Sequence, residues 1–223
     1  MNLRTALANI HRDRLWWRKI LIGGALMLTL VGYPWAAGLV MESLENTRKG
    51  FPTPLPPWRE WSARYIIGLF AVLIDILFFG LPIFAIGLLF FCVSVVLLAG
   101  GAGGSWLLAA GLAALGLYQL AAFMIGVSPI GRLIYVEAGQ IENALGSRTL
   151  RAALQPRARA VYGRARLLSL PAYLPFVLLA LLSWLVGGPA RLILVWLACS
   201  ALLYAHLAVA QLYAAAESDV RFG

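Results

Sequence analysis

Four polar side chains stand alone within long apolar runs of this 223-residue chain. Asp75 is the single formal charge within residues 65–131, and Gln119, His206 and Gln211 lie in apolar runs as well. A charged side chain at the centre of a bilayer costs about 2.5 to 3.5 kcal/mol on insertion scales, so it is usually paired, protonated or functional. These four residues, and Asp75 first among them, are therefore the candidates for chemistry inside a membrane.

Asp75 has two interpretations. In the first it is an ion or proton site, or an ion pair with a partner subunit, in a small transporter or channel that also uses His206, Gln119 and Gln211. In the second it is a protonated or hydrogen-bonded carboxyl that joins two helices, and His206 is placed to meet it across a helix interface. Because the predicted spans contain no second acid and no deep basic residue, the sequence favours the second interpretation.

A bound cofactor is not predicted. His206 offers one nitrogen ligand for a porphyrin or chlorin, the pigment or haem alternative, but a lone histidine in a span is more often a hydrogen-bonding residue. Cys92 and Cys199 lie far apart in apolar runs, without neighbouring metal ligands. The chain contains no paired carboxylates, no Ser, His and Asp set and no phosphate-binding glycine loop beside a strand. We therefore expect no enzymatic activity and no metal site.

The composition indicates what surrounds these residues. Hydrophobic residues make up 62% and charged residues 12% of the chain, about half the roughly 25% charged share of a soluble domain. A transmembrane helix needs about 20 mostly apolar residues. The sequence predicts an all-α, polytopic helical membrane bundle, a single domain over residues 1–223, with six spans at about residues 20–41, 64–80, 82–100, 106–127, 167–186 and 191–216.

The division of the longest apolar run decides that number. Residues 65–100 would be about 54 Å long as a helix, too long for one ordinary span and barely enough for two. Gly80-Leu81-Pro82 lies near the middle and predicts a tight reversal, and the glycine-rich residues 100–105 predict a turn. With six spans, more Lys and Arg residues fall on the side of the two termini, which the positive-inside rule places in the cytoplasm.

Basic residues border the apolar runs and give the chain a formal net charge of +9. They fall in residues 1–19, a predicted cytoplasmic amphipathic helix, and in 128–166, a basic cytoplasmic segment with a second such helix. The likeness of the two segments fits either an internal duplication or a shared amphipathic composition. We expect their side chains to contact anionic lipid headgroups or other membrane protein subunits rather than nucleic acid. They are Arg4, Arg12, Arg14, Arg18, Lys19, Arg148, Arg151, Arg157, Arg159, Arg164 and Arg166.

Residues 42–63 form a predicted outer connection that is rich in proline and tryptophan. Its interfacial motif consists of Leu55, Pro56, Trp58 and Trp61. Tryptophan is enriched where a bilayer meets water, and two tryptophans three residues apart can share one face. We therefore expect the motif to pack at the outer face of the membrane.

Short motifs along the chain are similar to those of one prokaryotic family. They are Gly32-Tyr33, Arg48-Lys49-Gly50, the stretch Leu55-Pro56-Pro57-Trp58-Arg59-Glu60-Trp61, Gly68-Leu69, Ser128-Pro129-Ile130, the helix start at 146–154 and Gln211-Leu212-Tyr213. Together they resemble the domain of unknown function 4013 family, although Pro57 stands where that family more often has an acidic residue. The resemblance implies a multi-pass helical protein of a bacterial or archaeal cell (inner) membrane, and it implies no activity.

One function is expected, and one alternative stays open. The expected function is that of a structural or accessory subunit, which packs against or scaffolds a larger membrane complex such as a respiratory or photosynthetic one. The reason is the absence of a polar pathway through the predicted spans. The alternative is the small transporter or channel built around Asp75.

Overall fold

The computed structural model describes residues 2–100 and 105–222, and all regular structure in these ranges is helical. A π-helical segment, Ile76–Gly80, joins α4 to α5, and a 3-10 segment, Leu170–Tyr173, joins α10 to α11. The α-helices are α1 (Leu3–His11), α2 (Trp16–Met27), α3 (Tyr33–Arg48), α4 (Trp61–Asp75), α5 (Leu81–Ala99), α6 (Ser105–Ile125), α7 (Val127–Ala138), α8 (Ile141–Leu145), α9 (Ser147–Leu154), α10 (Pro156–Ser169), α11 (Leu174–Leu185) and α12 (Gly188–Phe222).

The central helix of the structure is α12. Its 35 residues make it about 52 Å long. It packs against α1, α2, α3, α10 and α11, and Leu203, Leu207, Leu212 and Tyr213 along it are fully buried. The hydrophobic core therefore surrounds the C-terminal half of α12.

The helix α2 runs antiparallel to α12. Trp16, at the start of α2, contacts Tyr204, with the two ring centroids 5.9 Å apart. Further along α2, the Leu21 carbonyl accepts a hydrogen bond from the Trp196 indole, which is an earlier residue of α12 (2.9 Å). α2 thus leads away from the C-terminal half of α12.

The next helix, α3, runs parallel to α12, back towards its C-terminal end. Val40 and His206 line one cavity. Further along both helices, the guanidinium of Arg48 donates two hydrogen bonds to the Glu217 carboxylate (2.7 and 3.1 Å). α2 and α3 therefore form a hairpin on the surface of α12.

The prediction of one continuous span over residues 20–41 is wrong. The chain leaves the helix after Met27 and reverses within residues 28–32. Pro34 lies in the first turn of α3, where the missing N–H of proline would have no helical partner in any case. Pro34 therefore begins a second helix.

The predicted reversal at Gly80-Leu81-Pro82 is also wrong, because the backbone continues as one 39-residue helix, Trp61–Ala99. Pro82 has no N–H to donate to the carbonyl of Phe78, four residues earlier. The Leu81 N–H donates a hydrogen bond to the carbonyl of Ile76, five residues earlier. The Phe78 carbonyl accepts a hydrogen bond from the Tyr118 hydroxyl instead (2.8 Å). The π-helical segment thus accommodates the proline without a turn.

The helices α5 and α6 form a second hairpin. Gly111 of α6 packs on the Phe90 ring of α5, while Tyr118 bonds to Phe78 at the other end, so the two helices are antiparallel. The predicted glycine turn at 100–105 connects them, but its residues 101–104 lie outside the described residues. A third hairpin consists of α11 and α12.

Within residues 2–100 and 105–222, four helical stretches are long and apolar enough to cross a membrane. The chain is therefore a helical membrane protein with four candidate spans in its described part, and the predicted count of six is not confirmed. The α-helices α2 and α3 have 12 and 16 residues, fewer than the roughly 20 that a span requires. The four stretches are Trp61–Ala99, Ser105–Ile125, Pro156–Leu185 and Gly188–Val220.

Polar segments gather at one end of the structure. Lys19 donates a hydrogen bond to the Leu55 carbonyl (2.9 Å), and the Trp58 indole donates to the Lys19 carbonyl (3.2 Å). Tyr162 of α10 stacks on Tyr213 of α12, with 5.4 Å between ring centroids. The connection between α3 and α4, the N-terminal residues and α10 are therefore neighbours.

We call this end the base. It consists of α1, residues 12–15, the starts of α2 and α4, the end of α3, residues 49–60, the helices α7 to α10 and the C-terminal half of α12. Every Lys and Arg of the chain except Arg191 falls in these segments. The predicted placement of residues 42–63 on the side opposite the N-terminus is wrong, because Leu55 and Trp58 contact Lys19.

The apolar face of α1 contacts protein. Ala6 and Ile10 are buried against the end of α12. In α9, Thr149 and Ala153 are buried, whereas Leu150 is exposed. Both helices are therefore part of the packed base.

Close contact of α3 and α4 positions the end of α4. A Cβ atom added at Gly68 would overlap the Pro34 carbonyl, and one added at Gly38 would overlap the Arg64 carbonyl. Arg64 is also bonded to the Glu42 carboxylate (2.6 and 3.0 Å). Glycine at these two positions lets the backbones touch, in the manner of small-residue contacts in membranes.

The fold predicts which connections share a side of the membrane. We expect single cysteines at Asn2 and Thr53 to react with an impermeant maleimide from the same side, and a cysteine at Gly187 to react from the other. Cys92 and Cys199 are first replaced by alanine. Labelling of intact cells and of inverted membrane vesicles measures the sides, and Thr53→Cys reacting together with Gly187→Cys would contradict the hairpin arrangement.

Candidate functional site

A cavity of about 250 Å³ lies among α3, α4, α6, α7, α10 and α12, together with the π-helical and 3-10 segments. Its apolar wall includes Val40, Leu44, Phe79 and Phe123. More polar residues line the cavity than the sequence predicts. The polar residues are Tyr33, Asp75, Ser128, Arg132, Arg166, Tyr173 and His206.

Asp75, the last residue of α4, is bonded to two side chains of α7. The Ser128 hydroxyl donates to Oδ1 of Asp75, and Nη2 of Arg132 donates to Oδ2 (2.6 Å). Ser128 and Arg132 are four residues apart and so lie on one face of the helix. The basic partner that the sequence does not predict for Asp75 is therefore present on the neighbouring helix.

Gly126 sets the direction in which α7 leaves α6. Its backbone is left-handed, with φ of +73°, a conformation that glycine adopts without steric cost. A Cβ atom at this position would also overlap the Tyr213 hydroxyl. The turn thus depends on glycine for two reasons, and it brings the polar face of α7 to Asp75.

Arg132 is only 9% exposed. Burial alone lowers the pKa of its guanidinium, but the charge of Asp75, with smaller contributions from Tyr33, outweighs that effect and raises the pKa above the usual arginine value. Arg132 therefore stays charged, and its Nε atom has no hydrogen-bond acceptor in the described structure.

Arg166 is more deeply buried, with 2% of its surface exposed. Its guanidinium lies over the Phe123 ring at 4.1 Å, and its Nη1 donates a long hydrogen bond to the Tyr173 hydroxyl (3.5 Å). Among the residues that the structure describes, no carboxylate lies within ion-pair distance of it, and its Nε lacks an acceptor.

Arg166 does not lie at the surface of the base with the other predicted basic residues, because its side chain is buried. Ala158, Tyr162 and Ala165 form the buried stripe of α10, and Arg166, four residues after Tyr162, continues it. Its side chain consequently points into the protein. In the sequence, the signal for burial of Arg166 is its position four residues after Tyr162, which places both side chains on one face of a helix.

His206 lines the same cavity as Asp75, as predicted, and its ring lies edge-on to Tyr173 with 6.2 Å between centroids. The two predicted glutamines do not line it. The Gln119 amide approaches the Phe79 carbonyl at 3.5 Å. Gln211 donates to the hydroxyl of Thr47 (2.6 Å) in the base.

The other predicted basic residues lie at the surface of the base. Lys19 is the partly buried member of this set and is paired with Asp13. The exposed members are Arg4, Arg12, Arg14, Arg18, Arg148, Arg151, Arg157, Arg159 and Arg164.

The predicted interfacial motif is part of the packed structure. Leu55 and Pro56 are buried. Trp58 and Trp61 stack at 5.2 Å between ring centroids, which confirms that they share a face. The Arg64 guanidinium lies 5.0 Å from the Trp58 ring. The motif thus attaches the α3 to α4 connection to the start of α4.

The sequence analysis does not predict four of the polar residues that line the cavity: Tyr33, Ser128, Arg132 and Tyr173. Ser128 and Arg132 fall within residues 128–166, and the many arginines of that range indicate a polar connection. The same region contains Val127, Ile130 and Ile134 at helical spacing, and all three are buried. That periodicity indicates a helix with a buried face.

One family model matches residues 21–199 of the chain, and its description is Protein of unknown function (DUF4013). The motifs that resemble that family lie within this range, except Gln211-Leu212-Tyr213, which lies beyond its end. No curated protein and no solved structure matches the chain.

We expect Asp75→Asn to destabilise the protein by about 3 to 5 kcal/mol, because it leaves the Arg132 charge buried and unpaired. Arg132→Gln alone should also destabilise, while the double variant should lose less than the sum of the two. Thermal unfolding in detergent micelles measures these losses. Arg148→Gln, at an exposed pair with Glu137 (3.8 Å), is the control and should cost less than about 1 kcal/mol. Additive losses at Asp75 and Arg132 would contradict the pairing.

Proposed function

The chain belongs to the DUF4013 family, whose description names no activity, and we propose that it binds an anionic ligand in the cavity that Arg132 and Arg166 share. This is the binding step of a small transporter or carrier. The observation that carries the proposal is the buried guanidinium of Arg166, which has aromatic neighbours and one long hydrogen bond but no carboxylate partner in the described structure.

The charges around the cavity favour an anion. Two guanidinium groups, of Arg132 and Arg166, face one carboxylate, of Asp75. An unpaired buried charge costs several kcal/mol, and a cation–π contact such as that with Phe123 returns about 0.5 to 2 kcal/mol. A bound anion would supply the missing negative charge.

The hydrogen-bonding groups favour a carboxylate or a phosphate group. The Nε atoms of Arg132 and Arg166 have no acceptor, and the planar guanidinium group matches the paired oxygens of such anions. The hydroxyl groups of Tyr33 and Tyr173 line the same space. Asp75 would hold Arg132 in position while the cavity is empty.

The proposal retains two residues of the transport interpretation, Asp75 and His206, and exchanges Gln119 and Gln211 for Arg132 and Arg166. It assigns binding and movement of a ligand to the protein, and no covalent chemistry. The polar groups lie next to one another in a single cavity, which supports a ligand site over a set of separate structural bonds.

For the orientation we propose a multi-pass protein of the prokaryotic cell membrane with the base, and so both termini, in the cytoplasm. The positive-inside rule associates Lys and Arg residues near spans with the cytoplasmic side. Concentration of these residues in the base, with the exception of Arg191, supports this orientation.

A second proposal is the structural or accessory subunit, favoured by the hairpin of α5 and α6. Its side chains Phe84, Leu112 and Leu117 are strongly exposed, and beyond its base end it packs mainly on itself. If another subunit covers this hairpin, gentle extraction from native membranes should yield a particle whose protein mass is not a whole multiple of the mass of this chain. A particle of one or several copies alone, weighed by light scattering, would contradict this second role.

We expect inorganic phosphate or acetate to raise the thermal unfolding midpoint of the detergent-solubilised wild type, and Arg166→Gln to abolish that rise. The variant removes the unpaired charge, so without added anion it should be at least as stable as the wild type. Arg164→Gln, an exposed neighbour on the same helix, is the matched control and should retain the rise. Equal anion responses of Arg166→Gln and wild type would overturn the proposal.

A further inference from the structure

We propose that the anion is the phosphodiester group of a membrane phospholipid, which enters the cavity from the bilayer while its acyl chains stay among the hairpins. This inference rests on the proposed function, because it names the class of ligand for the same site. It follows from the charge of the cavity, its volume and the side chains around its opening.

The charge balance favours a singly charged group. Asp75 is bonded to Arg132, so one guanidinium charge, that of Arg166, is left without a partner in the described structure. A phosphodiester carries one negative charge and would complete the balance. It also has two non-bridging oxygens, which allows one to accept from Arg166 and the other from the free Nε of Arg132.

The volume favours a headgroup over a carboxylate alone. One water molecule occupies about 30 Å³ in the liquid, so the cavity of about 250 Å³ has room for a group of several heavy atoms. A carboxylate has three heavy atoms and would leave Tyr33, Ser128 and His206 facing empty space. A glycerol phosphodiester would fill more of the cavity and offers hydroxyl groups to these side chains.

The surroundings favour access from the bilayer. Phe79 and Phe123 are half-buried cavity residues on one hairpin, and Tyr173 lies in the segment that leads to α11. Here α6 packs mainly on α5 and α10, whereas α11 packs mainly on α12. The two hairpins therefore separate beyond the cavity, where Leu120 and Val177 are exposed.

This space suits acyl chains, since the exposed side chains beside it, such as Leu120 and Val177, are apolar. The exposed arginines of the base would raise the concentration of anionic lipid near the same end of the molecule. Headgroup, chains and surface charge thus all fit one occupant, an anionic phospholipid.

The test compares a lipid with its own headgroup. The delipidated full chain in non-ionic detergent is titrated with dioctanoyl phosphatidylglycerol, with deacylated glycerophosphoglycerol and with octanoate, and binding is followed by native mass spectrometry and the unfolding midpoint. We expect the lipid to bind at least tenfold more tightly than either soluble compound. Arg166→Gln should weaken lipid binding at least tenfold, and Arg164→Gln less than twofold.

Other outcomes separate this inference from the proposed function. If glycerophosphoglycerol or octanoate binds as tightly as the lipid and needs Arg166, the phospholipid assignment fails and anion binding stands. If the lipid binds wild type and Arg166→Gln equally and the soluble anions do not bind, both fail. Tyr173→Phe, which removes one hydroxyl beside Arg166, is a milder variant should Arg166→Gln not fold, and it should weaken lipid binding severalfold; no change would count against the site.

Discussion

The ion pair between Asp75 and Arg132 is the interaction on which the arrangement of helices depends. It joins the end of α4, just before the π-helical segment, to the helix that follows α6. Inside a low-dielectric interior, separation of the two groups leaves each charge uncompensated. The left-handed turn at Gly126 and the close contact of α3 with α4 both serve to keep these groups together. The cavity lies where six α-helices, α3, α4, α6, α7, α10 and α12, meet around this pair.

The second arginine contrasts with the first. Arg132 is held by a carboxylate, whereas Arg166 is held by the faces of aromatic rings. A guanidinium group is weakly hydrated and stacks well on aromatic rings, so it tolerates such a site better than an ammonium group would. The cavity therefore contains a fixed ion pair, Asp75 with Arg132. Beside it lies the guanidinium group of Arg166, which has no carboxylate partner in the described structure. That difference, rather than the number of polar residues, separates this cavity from an ordinary polar core.

Sequence reasoning identified Asp75 and His206, since polarity within an apolar run is visible without any contact. It missed Arg132 and misplaced Arg166, because a count of charges along the chain does not register which face of a helix carries them. Hydropathy measures the length of apolar runs and not their direction, so the hairpin of α2 and α3 looked like one span. Pro82 predicts a break, but the freed Phe78 carbonyl accepts a hydrogen bond from the Tyr118 hydroxyl, 40 residues away.

The three hairpins have a consequence for how the chain enters a membrane during synthesis. Each hairpin begins and ends near the base, so its two helices can move into the bilayer together, led by a short uncharged tip. Arg191 is the single Lys or Arg residue outside the base segments, and transfer of one arginine through the membrane centre costs about 2.5 to 3.5 kcal/mol on the insertion scale. Insertion of the hairpins therefore needs no passage of a long hydrophilic segment, and the charged half of the protein can stay on one side of the membrane.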